Sequence, residues 1–271
     1  MDTYRRGELV FDVSDTGGDG DVVVLLHGFP QNRHEWDAVT PHLSSAGYRV
    51  LAPDQRGYSP GARPAGRRSY VQSELVADVL ALTDAAGVDS FHLVGHDWGA
   101  LVAWAVTSRH PERVRTLTAV SVPHPKAFAW AMPRGQALKS WYMAAFQLPA
   151  LPERFLPSTR GLAMLGSGGL TPEQMRAYVE PLGRDGLTGA LNWYRALPWS
   201  QREKGYARRS TVPTTYVWSD GDVALGRAGA EATARFVDAP YRFAVLAGLS
   251  HWIPDEAPDD LAELILDRVR G

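Results

Sequence analysis

Short apolar runs alternate along the chain with longer segments whose apolar residues recur at helical spacing. A continuous apolar run is typical of a strand buried on both faces of a parallel sheet, and the longer spacing is typical of an amphipathic helix. Residues 7–14 instead alternate apolar and polar side chains, which indicates a strand at the edge of the sheet. The other predicted strands are 22–26, 48–52, 91–94, 114–122, 214–218 and 241–246, and the predicted helices are 36–46, 70–86, 100–109 and 257–270. This pattern predicts an α/β fold with a mostly parallel, doubly wound sheet.

The alternation of strands and helices stops between residues 124 and 210. This stretch has no convincing apolar strand, carries four of the nine tryptophans and contains helix-like segments at 134–147, 172–179 and 187–196. We therefore predict a core domain of residues 1–123 and 211–271, into which a mainly helical cap, or lid, of residues 124–210 is inserted. Such a cap would cover the carboxyl ends of the strands, where open α/β sheets bind their ligands. A lobe with only a packing role is the alternative.

The predicted strand 91–94 leads into the motif Gly-His-Asp-Trp-Gly at 95–99 and then into a predicted helix. This order puts Asp97 at the tip of a sharp strand-to-helix turn, the nucleophile elbow, whose central residue is usually serine. A carboxylate is suited to displacement at an sp3 carbon, where it forms an alkyl ester while a halide leaves or a strained ring opens. The substrate would then carry a carbon–halogen bond or an epoxide. A helix N-cap is the ordinary alternative for an aspartate in this position.

Hydrolysis of such an ester requires a base, and His251, which follows the last predicted strand, is the candidate. An acid must hold the imidazole in the right tautomer. Asp220 and Asp222 both follow the preceding predicted strand, so either would lie at the same edge of the sheet as the histidine. The order nucleophile, acid, histidine is that of the α/β-hydrolase fold.

The hydrolysis step also creates an oxyanion, which calls for two preorganised N–H donors. The backbone amide of Trp98, at the start of the elbow helix, is one candidate. The amide of Phe29, in the motif His-Gly-Phe-Pro at 27–30, is the other. Pro30 cannot donate a hydrogen bond and would help to fix this loop.

Composition limits the remaining possibilities. A chain of 271 residues is long enough for one α/β domain with an insertion, and its net charge of −2 gives no electrostatic reason to expect nucleic acid or a membrane surface as a partner. The absence of cysteine excludes disulfides and thiolate metal sites. No leader-like segment opens the chain and no apolar run approaches membrane-spanning length, so we expect a cytoplasmic protein. Neither a metal nor an organic cofactor is implied.

Several motifs resemble those of the α/β-hydrolase-fold epoxide hydrolases, the soluble type with a helical cap, over essentially the whole chain. In the predicted core they are His-Gly-Phe-Pro at 27–30 with Trp36 downstream, Asp-Gln-Arg-Gly-Tyr-Ser at 54–59, Gly-His-Asp-Trp-Gly at 95–99 and Ser-His-Trp at 250–252. The predicted cap adds Tyr-Met-Ala-Ala-Phe-Gln at 142–147 and Leu-Asn-Trp-Tyr-Arg at 191–195. The cap motifs distinguish this family from the haloalkane dehalogenases, which share the fold and the triad.

The resemblance implies a chemistry and assigns roles. An epoxide and water would be converted to a vicinal diol through an alkyl ester on Asp97, and Tyr142 and Tyr194 would hydrogen-bond the epoxide oxygen and protonate it. A phenol can serve as this acid because it remains protonated at neutral pH. Alignment with the family pattern Gly-x-x-Asp favours Asp222 over Asp220 as the partner of the histidine.

The expected partner is a small-molecule epoxide. Aromatic residues around the predicted cap, with Trp193 as a substrate contact, favour an apolar or aromatic one. A haloalkane dehalogenase is the first alternative, because the indole N–H of Trp98 and that of a cap tryptophan could hold a halide; the cap candidates are Trp141, Trp193 and Trp199. A hydrolase-fold ligand-binding protein that keeps a triad without turnover is the second.

Overall fold

The computed structural model describes residues 1–271, and its centre is one eight-stranded sheet. The strands in chain order are β1 Thr3–Arg6, β2 Leu9–Asp15, β3 Val22–Leu26, β4 Arg49–Pro53, β5 Phe91–His96, β6 Val114–Val120, β7 Thr214–Ser219 and β8 Tyr241–Leu246. Their order across the sheet is β1-β2-β4-β3-β5-β6-β7-β8. The two pairings that involve β2 are antiparallel and the other five are parallel. The predicted α/β class with a mostly parallel sheet is confirmed.

Helices cover both faces of this sheet. The α-helices are α1 Thr40–Ser45, α2 Gln72–Ala85, α3 Trp98–Arg109, α4 Pro125–Ala131, α5 Gln136–Lys139, α6 Trp141–Ala145, α7 Leu151–Phe155, α8 Thr159–Leu165, α9 Pro172–Val179, α10 Gly183–Ser200, α11 Arg227–Ala232, α12 Ile253–Glu256 and α13 Pro258–Arg270. Short 3-10 helices occupy Arg33–Trp36, Pro60–Ala62, Arg67–Tyr70, Pro111–Arg113, Met132–Arg134, Glu180–Leu182 and Thr233–Phe236. Between β6 and β7 the chain forms only helices and loops, α4 to α10 among them, apart from one isolated bridge at Ser210. No helix is both long and apolar enough to cross a membrane.

The parallel strands end level with one another. Leu26 at the end of β3 pairs with Gly95 of β5, Val120 at the end of β6 pairs with Val217 of β7, and the last residues of β7 and β8 pair together. All residues of β3, β5 and β7 are buried, as expected of strands covered on both faces. This alignment brings the loops that follow β3, β5, β7 and β8 to the same edge of the sheet.

Two predicted elements in the core are wrong in detail. Residues 7–14 are not an edge strand, because β1 pairs with β2 on its outer side. The predicted helix 36–46 is a 3-10 turn ending at Trp36 followed, after a gap, by the short helix α1. Pro41 lies in the first turn of α1, where its missing N–H costs nothing, whereas in a helix running from 36 it would remove an internal hydrogen bond.

The predicted cap helix 134–147 is also wrong. The structure divides it into the 3-10 turn Met132–Arg134 and the helices α5 and α6. Gly135, whose φ of 101° lies in the left-handed region, separates the 3-10 turn from α5. Ser140 separates α5 from α6. The predicted helix 172–179 matches α9, whose Thr171 and Gln174 form a reciprocal capping box.

Candidate active site

Asp97 occupies the sharp turn between β5 and α3. Its backbone has φ 50° and ψ −118°, a region that non-glycine residues seldom adopt and that is found at functional sites. The flanking glycines make the turn possible. A Cβ on Gly95 would lie 2.3 Å from the carbonyl oxygen of Gly99, and a Cβ on Gly99 would lie 2.0 Å from that of Leu26. The strained turn thus holds the Asp97 carboxylate at the carboxyl edge of the sheet.

The structure brings Asp97, His251 and Asp222 together at this edge. His251 Nε2 lies 3.4 Å from Asp97 Oδ2, and His251 Nδ1 lies 2.8 Å from Asp222 Oδ2. The other oxygen of Asp222 accepts hydrogen bonds from the backbone amides of Ala224, at 2.7 Å, and Leu225, at 2.8 Å. Asp220, the other candidate acid, is exposed and accepts a hydrogen bond from the Gly248 amide instead. Of the two candidate acids, Asp222 is therefore the one that contacts the imidazole.

The two carboxylates set the charge of the histidine. Burial lowers the pKa of His251, but Asp222 and Asp97 outweigh it and raise this pKa to about 10. Burial likewise raises the pKa of Asp97, but its interactions with His251, His96 and the Phe29 amide outweigh it, and the net pKa is lowered. At neutral pH the free site therefore holds an ionised Asp97 beside a protonated imidazole.

Two backbone amides lie at the Asp97 turn. The Phe29 amide donates a hydrogen bond of 2.9 Å to Asp97 Oδ1. The amide of Trp98, the first residue of α3, has no acceptor within its own helix and remains available at the same turn. A Cβ on Gly28 would lie 2.5 Å from the Asp97 Cβ, so the loop after β3 approaches the carboxylate as closely as a glycine allows.

Sequence reasoning did not identify the fully buried pair of Glu35 and His96 behind this turn. Glu35 Oε1 lies 2.7 Å from His96 Nδ1, and Glu35 Oε2 accepts a hydrogen bond of 3.0 Å from the Gly28 amide. His96 Nε2 donates to the backbone carbonyl of His251, at 2.9 Å. The pair therefore ties the loop after β3 to the loop that carries the histidine. The only signal for it was the position of His96 directly before Asp97.

Tyr142 on α6 and Tyr194 on α10 line the same cavity as Asp97, and their ring centroids are 6.1 Å apart. Burial, followed by the negative charge of Asp97, raises the pKa of both phenols far above its usual value. Both tyrosines are therefore protonated throughout the neutral range. Trp98 packs against Tyr194, with ring centroids 4.8 Å apart, in an edge-to-face arrangement.

Two side chains in the cap motifs fix the helices that carry the tyrosines. Gln147 donates a hydrogen bond of 2.9 Å to the carbonyl of Tyr194. Arg195 donates to the carbonyl of Phe146 at 3.0 Å and forms a buried ion pair of 2.7 Å with Glu153. Gln147 and Arg195 thus have a structural role that the sequence pattern did not reveal.

The cavity above Asp97 has a volume of about 800 Å³, and its wall is mainly apolar. Trp193 lines it, while its indole N–H donates to the carbonyl of Arg56 at 2.8 Å and is not free for a ligand. Trp141 on α6 is largely exposed and does not line the cavity. The site is thus a mainly apolar cavity that the Asp97 carboxylate and the Tyr142 and Tyr194 phenols share.

Comparison with known proteins agrees with this geometry. A family model described as the alpha/beta hydrolase fold matches residues 21–258. Epoxide hydrolase A of Mycobacterium tuberculosis is 31% identical over 92% of this chain and 90% of its own length. The chain belongs to the α/β-hydrolase-fold epoxide hydrolases. The family resemblance predicted from the motifs is confirmed, and so is the expectation that the protein is an enzyme of this group.

Two further similarities extend over nearly the whole chain. The Bacillus subtilis protein called AB hydrolase superfamily protein YfhM is 37% identical over 93% of this chain and 91% of its own. The crystal structure of epoxide hydrolase A from Mycobacterium thermoresistibile superimposes with a TM-score of 0.86 at 29% identity and covers 99% of this chain and 97% of that one. This epoxide hydrolase family member therefore shares its fold with that crystal structure over nearly its whole length.

Proposed function

We propose that this enzyme hydrolyses an apolar or aromatic epoxide to a vicinal diol through an alkyl ester on Asp97. The observation that carries the proposal is the pair of protonated phenols, Tyr142 and Tyr194, in the same cavity as the carboxylate. An epoxide oxygen leaves as an alkoxide and needs an acid, whereas a departing halide does not. The mainly apolar wall of the cavity supports an apolar or aromatic substituent on the ring.

The first step is ring opening. The Phe29 amide engages Asp97 Oδ1, so Oδ2 is the oxygen that attacks the epoxide carbon. As the new carbon–oxygen bond forms, the carbon–oxygen bond of the ring breaks and its electron pair moves to the epoxide oxygen. Tyr142 or Tyr194 gives its proton to that oxygen. The product of this step is a hydroxyalkyl ester of Asp97.

The second step is hydrolysis of the ester. A water molecule beside His251 Nε2 loses a proton to the imidazole and attacks the carboxyl carbon of Asp97. Asp222 holds the other ring nitrogen and stabilises the imidazolium, while the amides of Phe29 and Trp98 stabilise the negative charge on Oδ1. Collapse of this intermediate breaks the ester bond, and the imidazolium protonates the departing diol. The Asp97 carboxylic acid that remains gives its proton to the now neutral imidazole, so Asp97 returns as a carboxylate and His251 returns to the protonated form of the free site.

The protons balance between the two steps. In the free site His251 is protonated because two carboxylates face it. Ester formation removes the charge of Asp97, so the pKa of the imidazole falls and it releases its proton. The tyrosine that protonated the substrate recovers a proton, since the raised pKa of its phenol favours the neutral form. His251 thereby becomes a base when the ester has formed.

Removing the phenols tests the proposal. We expect Tyr142→Phe and Tyr194→Phe to slow ester formation about tenfold to a hundredfold each, and the double variant about a thousandfold, because the alkoxide then leaves without an acid. Rapid mixing with styrene oxide, followed by quenching and intact-protein mass spectrometry, measures this rate. The wild-type enzyme assayed beside it should release diol from styrene oxide and no halide from a panel of 1-haloalkanes. Halide release that survives in the double variant would identify a dehalogenase and overturn the proposal.

The two steps should also differ in their dependence on pH. The lowered pKa of Asp97 keeps the nucleophile ionised, so ester formation should be nearly constant from about pH 6 to 9. Ester hydrolysis requires the neutral imidazole, so its rate should rise with pH through the pKa of His251 in the ester. That pKa lies below the value of about 10 in the free site, because only Asp222 still faces the ring with a negative charge. Single-turnover tryptophan fluorescence measures both rates, and a hydrolysis rate that falls as pH rises through neutrality would contradict this mechanism.

A further inference from the structure

The loop that carries Asp222 is held from outside the sheet by the cap segment α5. We call residues 220–226, between β7 and α11, the acid loop. The side-chain amide of Gln136 bonds to it twice: Oε1 accepts from the Gly226 amide at 2.9 Å, and Nε2 donates to the carbonyl of Ala224 at 2.7 Å. Lys139, one turn further along α5, donates to the carbonyl of Asp222 itself at 2.9 Å.

These bonds fix the backbone that orients the carboxylate. Asp222 Oδ1 accepts hydrogen bonds from the amides of Ala224 and Leu225, and Oδ2 faces His251 at 2.8 Å. Gln136 bonds to the residues on either side of Leu225. A shift of this backbone would therefore move the two amides, the carboxylate between them, and the histidine that the carboxylate orients.

The environment of Gln136 makes its amide hard to replace. The residue is buried, with a relative exposure of 3%. Its Nε2 also donates to Ser140 Oγ at 2.9 Å, so every polar atom of the amide has a protein partner. Without it, the Gly226 amide and the Ala224 carbonyl would lose their partner, which favours a different path for the loop.

We propose that Gln136 is a positioning residue that keeps the Asp222 carboxylate in contact with His251 Nδ1 and thereby supports the ester-hydrolysis step. This inference rests on the proposed function. It assigns to the cap a part in the second chemical step, in addition to the tyrosines that serve the first. Ring opening uses Asp97 and the phenols and does not pass through Asp222. Loss of the Gln136 amide should therefore affect the two steps unequally.

The test compares single-turnover rates in the full-length enzyme mixed with styrene oxide, with the ester measured by quenching and intact-protein mass spectrometry. In Gln136→Met, which keeps the length of the side chain, we expect the ester to decay about tenfold more slowly, as for the loss of one orienting hydrogen bond. Ester formation should change by less than about twofold. The ester should therefore accumulate in the steady state, whereas a general loss of structure would slow both steps together.

Three further variants isolate the cause. Gln174→Met replaces another cap glutamine, whose hydrogen bonds stay within the N-terminus of α9. In this variant the ester should decay at the wild-type rate. Ser140→Ala removes only the bond between Ser140 and Gln136 and should also leave ester decay unchanged. Lys139→Met removes the second tie to the acid loop and should slow decay selectively, about threefold.

The outcomes separate this inference from the function on which it rests. A wild-type enzyme that forms no ester with any epoxide overturns the proposed function itself. If the wild-type ester forms and decays, equal slowing of both steps in Gln136→Met, or no change in a folded variant, overturns the positioning role. Should Gln136→Met not fold, Lys139→Met decides: selective slowing of ester decay supports the role, and unchanged decay overturns it.

Discussion

Replacing His251 with glutamine should trap the covalent ester. Ester formation uses Asp97 and the tyrosines, which this change leaves in place, whereas ester hydrolysis loses its base. The ester should therefore decay at least about a thousandfold more slowly than in the wild type. After exposure to one equivalent of styrene oxide, most of the protein should be heavier by the mass of the whole epoxide. Intact-protein mass spectrometry measures this gain, and peptide mapping should locate it on Asp97.

The size of the added mass distinguishes the possible reactions. Addition of the complete epoxide identifies ring opening, whereas addition of an alkyl group without its halogen, from a haloalkane, would identify dehalogenation. Asp220→Asn is a suitable control because this exposed carboxylate lies on the same loop as Asp222 but bonds to Gly248. It should neither accumulate ester nor lose turnover. Rapid decay of the ester in His251→Gln would show that His251 is not the base.

The sheet was predictable because burial on both faces leaves a simple pattern. The strands β3 and β5 contain few polar residues, and their predicted positions agree with the structure to within two residues. The strand β1 gave no such signal, since Tyr4 is its only buried residue. Without β1, the prediction made β2 an edge strand. Short strands at the side of a sheet depend on their neighbour for pairing and carry little hydrophobic pattern of their own.

The helical character of the segment between β6 and β7 was predictable, but the positions at which its helices break were not. Helix α9 has both a capping box and Pro172 in its first turn, which together mark its start in the sequence. The division of 134–147 depends on a single left-handed glycine, Gly135, and on Ser140, and apolar residues continue across both. Hydrophobic spacing alone therefore predicted one helix where the chain forms two.

The candidate catalytic residues were predictable where they come directly after a predicted strand. Asp97, Asp222 and His251 each come after a strand whose carboxyl end lies at the same edge, so sequence position alone placed them near one another. The side chains that hold them gave no comparable signal. Gln136 is 90 residues from Gly226, to which it bonds, and Glu35 depends on a contact with His96 that only the folded chain creates. Such contacts follow from how the cap and loops pack, which the periodicity of one segment does not contain.

Asp97→Asn should abolish turnover while the fold is retained. Asparagine tolerates the positive φ of this turn, and its carbonyl oxygen can still accept the hydrogen bond from Phe29. The amide cannot displace the epoxide oxygen, so kcat should fall at least about ten-thousandfold, as expected when the nucleophile of a covalent mechanism is removed. No ester should form, even when His251→Gln is also present. Diol formation measured by chromatography, together with the thermal midpoint of the variant, checks both parts of this expectation.

Combining Asp97→Asn with His251→Gln distinguishes the loss of the nucleophile from a general loss of structure. If Asp97 forms the ester, adding Asp97→Asn to His251→Gln must eliminate the mass gain, because no other carboxylate replaces it at the turn. Persistence of the full mass gain in the double variant would place the ester on another residue. A residual kcat within about tenfold of the wild type would instead point to direct attack of water on the epoxide, with His251 as the base and the carboxylates in a supporting electrostatic role.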